Sequence, residues 1–293
     1  MKKPLVSICC ITYNHESYIK NALDGFVMQK TNFPFEIVIS DDCSKDETRK
    51  VIEEYKIKYP NLIRDVSPQK NLGVSKNFSY VQQCAHGKYI AICEGDDYWT
   101  DQYKLQKQVD FMEKHPDYSV CWHRCTYFSI NSSIIVEDNC DKILKDKEGV
   151  DITLEDFFNG WYTQPLTTLL RRSAYDSQWY KQYQYYRDEH EFYHLLKRGK
   201  GYLFAFVGGV YVKHNGGIYT SMSENSRREV GLKVARELYN VNKDAYTYHF
   251  YCQTLQWLIN ENAHSFKKKL EYSWELFKVN TKFGKFLKNV ILQ

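Results

Sequence analysis

The chain has nine cysteines (Cys9, Cys10, Cys43, Cys84, Cys93, Cys121, Cys125, Cys140 and Cys252) but no Cys-x-x-Cys pair. That absence speaks against a structural zinc site, whose ligands usually come in such pairs. The cysteines are odd in number and scattered, several within apolar runs, which predicts reduced thiols in a cytosolic protein. Glycine is limited to 14 residues, with no Gly-x-Gly-x-x-Gly and no Gly-Lys-Ser/Thr. The phosphate cradles of dinucleotide dehydrogenases and P-loop NTPases are therefore missing. No window approaches the roughly 18 apolar residues needed to span a bilayer. The opening "MKKPLVSICCITYNHE" soon turns polar, so no secretory leader is expected. A strong excess of one charge is lacking too: 40 Lys and Arg stand against 36 Asp and Glu, a net charge of +4. The basic residues alternate with acids, which argues against nucleic acid as the main partner.

What is present describes a globular chain. Its 293 residues suffice for one large α/β domain, with or without a smaller appendage. Hydrophobic residues make up 43% and charged residues 26%, close to globular averages. Aromatic content is high at 16%, with 25 Tyr and 6 Trp. Such flat faces with polar handles suit sugar rings, although core packing is the commoner use of any one of them.

Residues 5–11, "LVSICCI", form a short apolar run between Pro4 and the polar Thr12-Tyr13-Asn14, as a buried parallel strand would. Residues 16–29 place Tyr18, Ile19, Ala22, Leu23, Phe26 and Val27 at helical spacing. "FEIVIS" is the next strand and ends in Asp41 and Asp42; a helix from Lys45 stops before Pro60. "GVSKNFSYVQQCAHG" reads as a third helix, and residues 89–93 as a further strand. The alternation predicts an α/β fold with a mostly parallel central sheet flanked by helices on both faces. Open sheets of this kind bind ligands beyond the carboxyl ends of their strands.

Both acidic clusters fall at such ends. The second, Glu94-Gly95-Asp96-Asp97, crowds three carboxylates into four residues. A polar turn into the helix "YKLQKQVDFMEKHP", with Thr100 or Asp101 as N-cap, accounts for one isolated acidic turn. Carboxylates this close repel one another, however, unless a cation neutralises them. A divalent ion with oxygen ligands does so and leaves positions open for substrate phosphates.

In order along the chain, "PLVSICCITYNHESYI", "EIVISDDCSKDET", "NLGVSKNF" and "EGDDYW" resemble the strand, turn and Asp-x-Asp segments of the inverting family 2 glycosyltransferases. The resemblance spans roughly residues 4–220 and implies a GT-A fold, Rossmann-like, followed here by a C-terminal helical extension. It further implies that Thr12, Tyr13, Asn14 and Glu16 border the nucleoside, with Tyr13 close to the base, and that Asp41 or Asp42 accepts a hydrogen bond from the base. Asn71, Gly73, Asn77, Glu94 and Gly95 complete the nucleotide-sugar pocket. Asp96 is the main metal ligand, with Asp97 ligating or supporting and His214 facing the metal or diphosphate. Glu94 occupies the first acidic position in place of Asp, where it meets the ribose or a metal-bound water instead. Taken singly, Tyr13 also reads as a packed ring, Asn14 as a turn residue, Asp41 and Asp42 as helix caps, and His214 as a structural histidine.

Inverting transfer needs a base for the acceptor hydroxyl. By resemblance, it lies in "YYRDEHEFYHLLKRGKG", where Asp188 is favoured and Glu189 is the rival; acids matching a helix dipole are the alternative for both. "WYTQPLTTLLRRSAY" resembles the acceptor side, with Thr167, Thr168 and Arg171 as candidates, and Trp99 at the end of "EGDDYW" is a further acceptor-side candidate. Residues 216–223 suit a lid over bound donor. Beyond Arg227 the chain turns helical. Lys267-Lys268-Lys269 and the basic, aromatic last turns suit contact with an anionic membrane surface; a helical cap over the sheet or a dimer contact is the plainer account.

The sequence thus predicts a domain over 1–226, divided into a nucleotide-sugar half (1–115) and an acceptor and base half (116–226), with an extension over 227–293. The expected activity is metal-dependent, inverting transfer from a UDP-sugar to a saccharide or lipid-linked saccharide in cell-surface polysaccharide synthesis. Mn2+ or Mg2+ would be the cofactor, and the enzyme would be cytoplasmic or peripheral on the inner face of the plasma membrane. A nucleotidyltransferase is the alternative enzyme, but would normally carry a Gly- and Lys-rich first loop. A non-catalytic carbohydrate-binding protein of the same fold is the other alternative.

Overall fold

The computed structural model describes residues 3–160, 162–217, 221–260 and 265–291, with side chains up to 281. Its elements follow in the order β1 (Val6–Thr12), α1 (Ile19–Val27), β2 (Phe35–Asp41), α2 (Thr48–Lys58), β3 (Ile63–Asp65), α3 (Val74–Gln83), β4 (Tyr89–Ile92), β5 (Tyr98–Trp99) and α4 (Lys104–Lys114). There follow β6 (Tyr118–Ser129), β7 (Ile134–Glu137), α5 (Asp141–Leu144), β8 (Gly149–Ile152), α6 (Leu154–Asn159), β9 (Leu169–Arg171), α7 (Asp188–Arg198), β10 (Lys200–Lys213), α8 (Glu224–Asn242), α9 (Ala245–Asn260) and α10 (Phe266–Ile291). They divide into two compact units, one of Met1–Tyr180 with Glu191–His214, the other of Lys181–His190 with Asn215–Gln293.

The first unit holds the sheet, in the order β3-β2-β1-β4-β9-β6-β10-β5, with β7 on β6 and β8 on β10. From β3 to β4 all pairings are parallel. Every residue of β1 is buried, which explains its unbroken apolar run: a central parallel strand is covered on both faces. Its one early polar side chain, Ser7, donates to Glu36 Oε1 at 2.6 Å and accepts from the backbone of His86 and Gly87. Beyond β4 the sheet is mixed, since β9 runs antiparallel to both β4 and β6 while β6 and β10 run parallel. The helix face of α1 expected from the 3.6-residue spacing is the buried one, through Ile19, Ala22, Leu23 and Phe26. The helix α4 starts later than its acids suggest. Asp101 accepts from Tyr103 N in the preceding turn, and neither Thr100 nor Asp101 is the N-cap.

The second unit has a core of its own, built from Leu232, Ala235, Tyr239, Tyr251, Leu255, Leu258, Tyr272 and Val279. A bidentate pair between Arg236 and Glu275, at 2.7 and 3.0 Å, ties α8 to α10. Leu270, Trp274 and Phe277 of α10 are exposed. The run of residues 216–223 assigned to a lid includes 218–220, which lie outside the described residues, as does Trp161; the last basic turns lie beyond the described side chains. Among the described residues no helix is long and apolar enough to cross a membrane. All nine cysteines are free.

Lys104, at the start of α4, is fully buried. Its Nζ lies 3.8 Å from the centroid of a Trp99 ring and donates to Thr168 O at 3.5 Å. Burial lowers its pKa to about 7, opposed by Cys93 and Cys121 nearby. An unfolded lysine titrates near 10.4, so between about 7 and 10.4 the unfolded chain holds the extra proton and stability falls as pH drops through that window. Lys104→Met keeps the length of the side chain and removes the charge. The variant should melt higher than the parent at about pH 6.5, by at most on the order of 4 kcal/mol, and the gain should shrink towards about pH 10. Melting curves across that range check this, and a pH-independent difference would contradict it.

Candidate active site

The register of β1, β2 and β4 gathers three strand ends. Thr12 is paired with Asp41, and Cys9 with Ile92; the β4 chain then continues along β1 through Cys93 N to Cys9 O and Gly95 N to Ile11 O. Glycine is required at 95 because a Cβ there would lie 2.8 Å from Thr12 Cβ and Oγ1 and 2.9 Å from Ile19 Cδ1. The acidic turn is thereby laid directly on the end of β1.

The residues assigned to the nucleoside mostly hold loops to one another. Asn14, with a left-handed φ of 55°, donates its N–H to Ser44 Oγ at 2.8 Å and accepts from Lys45 N at 2.8 Å. Glu16 accepts from Glu47 N at 2.9 Å. The turns after β1 and β2 are thus clasped together. Asp41 accepts from the backbone and hydroxyl of Ser44, and Asp42 from Leu72 N and Gly73 N at 2.7 and 2.9 Å. Asn71 donates to Asp42 O and accepts from Gly73 N; Gly73 has φ +79°, which a side chain would strain. Asn77 is buried and exchanges hydrogen bonds with Ser40, so it fastens α3 to β2 rather than facing a ligand. Tyr13, in contrast, is 42% exposed.

At the acidic turn the side chains converge. Ligand atoms of Glu94, Asp96 and Asp97 lie within 4.8 Å of one another, and so do those of His15, Asp96 and His214. His214 Nε2 lies 3.0 Å from Asp96 Oδ2 and His15 Nε2 lies 3.7 Å from the same oxygen. Burial raises the pKa of Asp96, but the His214 hydrogen bond and the two imidazoles outweigh it and hold the group below the ordinary carboxylate range. Asp97 behaves oppositely: burial, then the charges of Asp96 and Glu94, push it well up. Asp97 Oδ1 accepts from Val212 N at 2.8 Å, so it ties the turn to the end of β10. His214 follows two residues later, its ring 4.4 Å from that of Tyr18.

Asp96 Oδ1, His15 Nδ1 and Thr12 Oγ1 are buried without a protein partner. Buried polar atoms are rarely left so. The carboxylates and imidazoles that meet at Asp96, with such atoms on Asp96 and His15, are a donor set that fits a divalent cation. His15 was not among the sequence candidates. The signal available was its place between Asn14 and Glu16 in the turn after β1, which the strand order directs towards the end of β4.

The acceptor-side expectations are corrected. Trp99 is buried, its ring packed on Phe26 and its Nε1 donating to Leu166 O at 2.7 Å. Thr167 and Thr168 are buried and donate to Gln164 O. Arg171 pairs with Tyr89, at the start of β4 and away from the acidic turn, and its guanidinium is spent on Tyr118 O, Met112 O, His115 O and Tyr89 Oη. All four serve the scaffold: Trp99, Thr167 and Thr168 bond backbone carbonyls, and Arg171 bonds three carbonyls and the Tyr89 hydroxyl.

Asp188 and Glu189 open α7 and group with the second unit. Arg187 Nε lies 3.9 Å from Asp188 and 3.5 Å from Glu189. Burial and the adjacent Asp188 charge raise the Glu189 pKa well above the carboxylate range, against the pull of Arg187. Glu189 Oε2, the oxygen nearest Arg187 Nε, is buried without a hydrogen-bond partner.

Comparison with known proteins gives the arrangement a family. The chain is 52% identical over 118 residues to an uncharacterized protein of Mycobacterium tuberculosis, a match covering 40% of this chain and 34% of that one. It is 28% identical over 172 residues to the putative teichuronic acid biosynthesis glycosyltransferase TuaG of Bacillus subtilis, covering 58% of this chain and 63% of TuaG. The chain therefore matches only about a third of the length of the first of these relatives. Among solved structures, S. aureus TarS 1-349 in complex with UDP-GlcNAc aligns with a TM-score of 0.62 at 21% identity, covering 95% of this chain and 80% of that one. The mannosyltransferase PcManGT of Pyrobaculum calidifontis, in complex with GDP-Man and Mn2+, aligns with a TM-score of 0.54 at 15% identity, covering 94% and 70%. These likenesses establish the GT-A fold. Residues 7–179, more than half of the chain, match the model of glycosyl transferase family 2, and the protein belongs to that family.

Proposed function

We propose that this protein is a metal-dependent, inverting glycosyltransferase that moves a sugar from a UDP-sugar to a saccharide or lipid-linked saccharide acceptor of a cell-surface polysaccharide. The observation that carries the proposal is the meeting at Asp96 of Glu94 and Asp97 on one side and His15 and His214 on the other, with Asp96 Oδ1 buried and without a hydrogen-bond partner. The ligands named for TarS and PcManGT, and the pathway named for TuaG, support the substrate classes. When bound, Mn2+ or Mg2+ supplies neutralisation of the charge on the leaving diphosphate. Asp96 and His214 would hold that ion, while Asp97 keeps the turn in place through Val212.

The clasped loops of Asn14, Glu16, Asp41 and Asp42 give the nucleoside a rigid floor, with exposed Tyr13 offering its ring to the base. Asp188 removes the proton from the acceptor hydroxyl as the oxygen attacks the anomeric carbon. Glu189, whose raised pKa favours its protonated form, shapes the charge beside it. We place the enzyme in the cytoplasm, with the exposed aromatic face of α10 available to the membrane that carries a lipid-linked acceptor. Neither a nucleotidyltransferase nor a purely binding role matches this set of groups as well, and turnover of the donor separates all three.

Two variants test the assignment. Asp96→Asn should lower Mn2+-dependent UDP affinity by about tenfold or more; titration calorimetry showing equal affinity would overturn it. Asp188→Asn should bind UDP as the parent does and lose transfer by about 100-fold or more in kcat. If Glu189→Gln is the inactive variant and Asp188→Asn is not, the base is Glu189.

A further inference from the structure

We propose that His15 is a protein ligand of the same divalent ion as Asp96 and His214, and that this set of two imidazoles and one carboxylate selects ions of the Mn2+-to-Zn2+ class over Mg2+. The inference rests on the metal-dependent reading above and adds the second imidazole and the choice of ion.

Geometry carries it. Ligand atoms of His15, Asp96 and His214 all lie within 4.8 Å of one another. Both imidazoles approach one carboxylate oxygen, Asp96 Oδ2, at 3.7 and 3.0 Å. Their rings stand nearly perpendicular, 89° apart with centroids separated by 6.0 Å, so they converge edge-on instead of stacking. A histidine kept only for packing normally satisfies its ring nitrogens, yet His15 Nδ1 is buried without a partner. The backbone around it is already fixed. His15 N donates to Thr48 Oγ1 at 2.8 Å, and its carbonyl accepts from Tyr18 N and Ile19 N at 2.9 and 2.8 Å, at the entry to α1. Little ordering remains to be done when an ion arrives.

The donor chemistry then sets the preference. Mg2+ is a hard ion that seeks oxygen ligands in near-ideal octahedral geometry and keeps its waters. Imidazole favours the borderline first-row ions, whose affinity rises from Mn2+ towards Zn2+. Each imidazole in the set adds to the preference for such ions over Mg2+.

The test uses the full chain. Calorimetric titrations with MnCl2 and with MgCl2, each with and without UDP, should show tighter Mn2+ binding in the parent. His15→Ala and His15→Gln should weaken Mn2+ by about tenfold or more and leave Mg2+ nearly unchanged. Pulsed electron paramagnetic resonance of the Mn2+-loaded parent should report two imidazole nitrogens, and either His15 variant one. The parent spectrum decides the matter even if both variants misfold: a single nitrogen overturns the inference. Loss of binding in Asp96→Asn with His15 variants unchanged would overturn the role of His15 and leave the proposed function standing. No Mn2+ binding by the parent, even with UDP, would overturn both.

Discussion

The structure depends on how negative charge is tolerated at the end of β4. Three carboxylates within four residues cannot all ionise in a half-buried turn without opposing charge. The fold divides the problem between neighbours. Asp96 is kept ionised by the imidazoles of His15 and His214, whereas Asp97, more deeply buried, is driven towards its protonated form and anchored to a backbone N–H of β10. The two adjacent residues thus have opposite tendencies: Asp96 presents charge and Asp97 holds position.

The first half of the chain was legible because its pattern and its physics coincide. A parallel strand covered on both faces has to be largely apolar, and β1, β2 and β4 are, with the polar Ser7 and Ser40 of β1 and β2 buried on hydrogen-bond partners. The turn chemistry between them, down to the glycine at 95, follows from the closeness of strand ends. The mixed pairing beyond β4 was less legible. The three-residue β9 is inserted antiparallel between β4 and β6, and no periodicity marks so short a strand. The N-cap of α4 was misjudged for a related reason, since Asp101 satisfies a turn one step before the helix begins.

The gathering of charge at the strand ends was legible in the sequence, whereas polar residues that serve the scaffold were not distinguishable from residues that face a ligand. Trp99, Thr167, Thr168 and Arg171 are residue types that sugars favour, yet here each satisfies main-chain groups inside the core. Composition cannot separate the two uses, because a hydroxyl or guanidinium bonds a carbonyl as readily as a sugar. His15 was overlooked for the converse reason. It lies 81 residues before Asp96 in the sequence numbering, and only the register of β1 against the β4 chain brings the two together.

That register also explains why the site is assembled from both ends of the first unit. Val212 is the last residue but one of β10, and its N–H is bonded to Asp97; His214 follows the strand and reaches Asp96. One hydrogen bond therefore fixes both the orientation of the acidic turn and the approach of its imidazole partner. Weakening it would release two constraints together, because displacement of β10 removes charge compensation from Asp96 as it frees Asp97. Such coupling makes the cluster a single electrostatic unit, in which the ionisation of carboxylates early in the chain depends on the position of the last strand of the sheet.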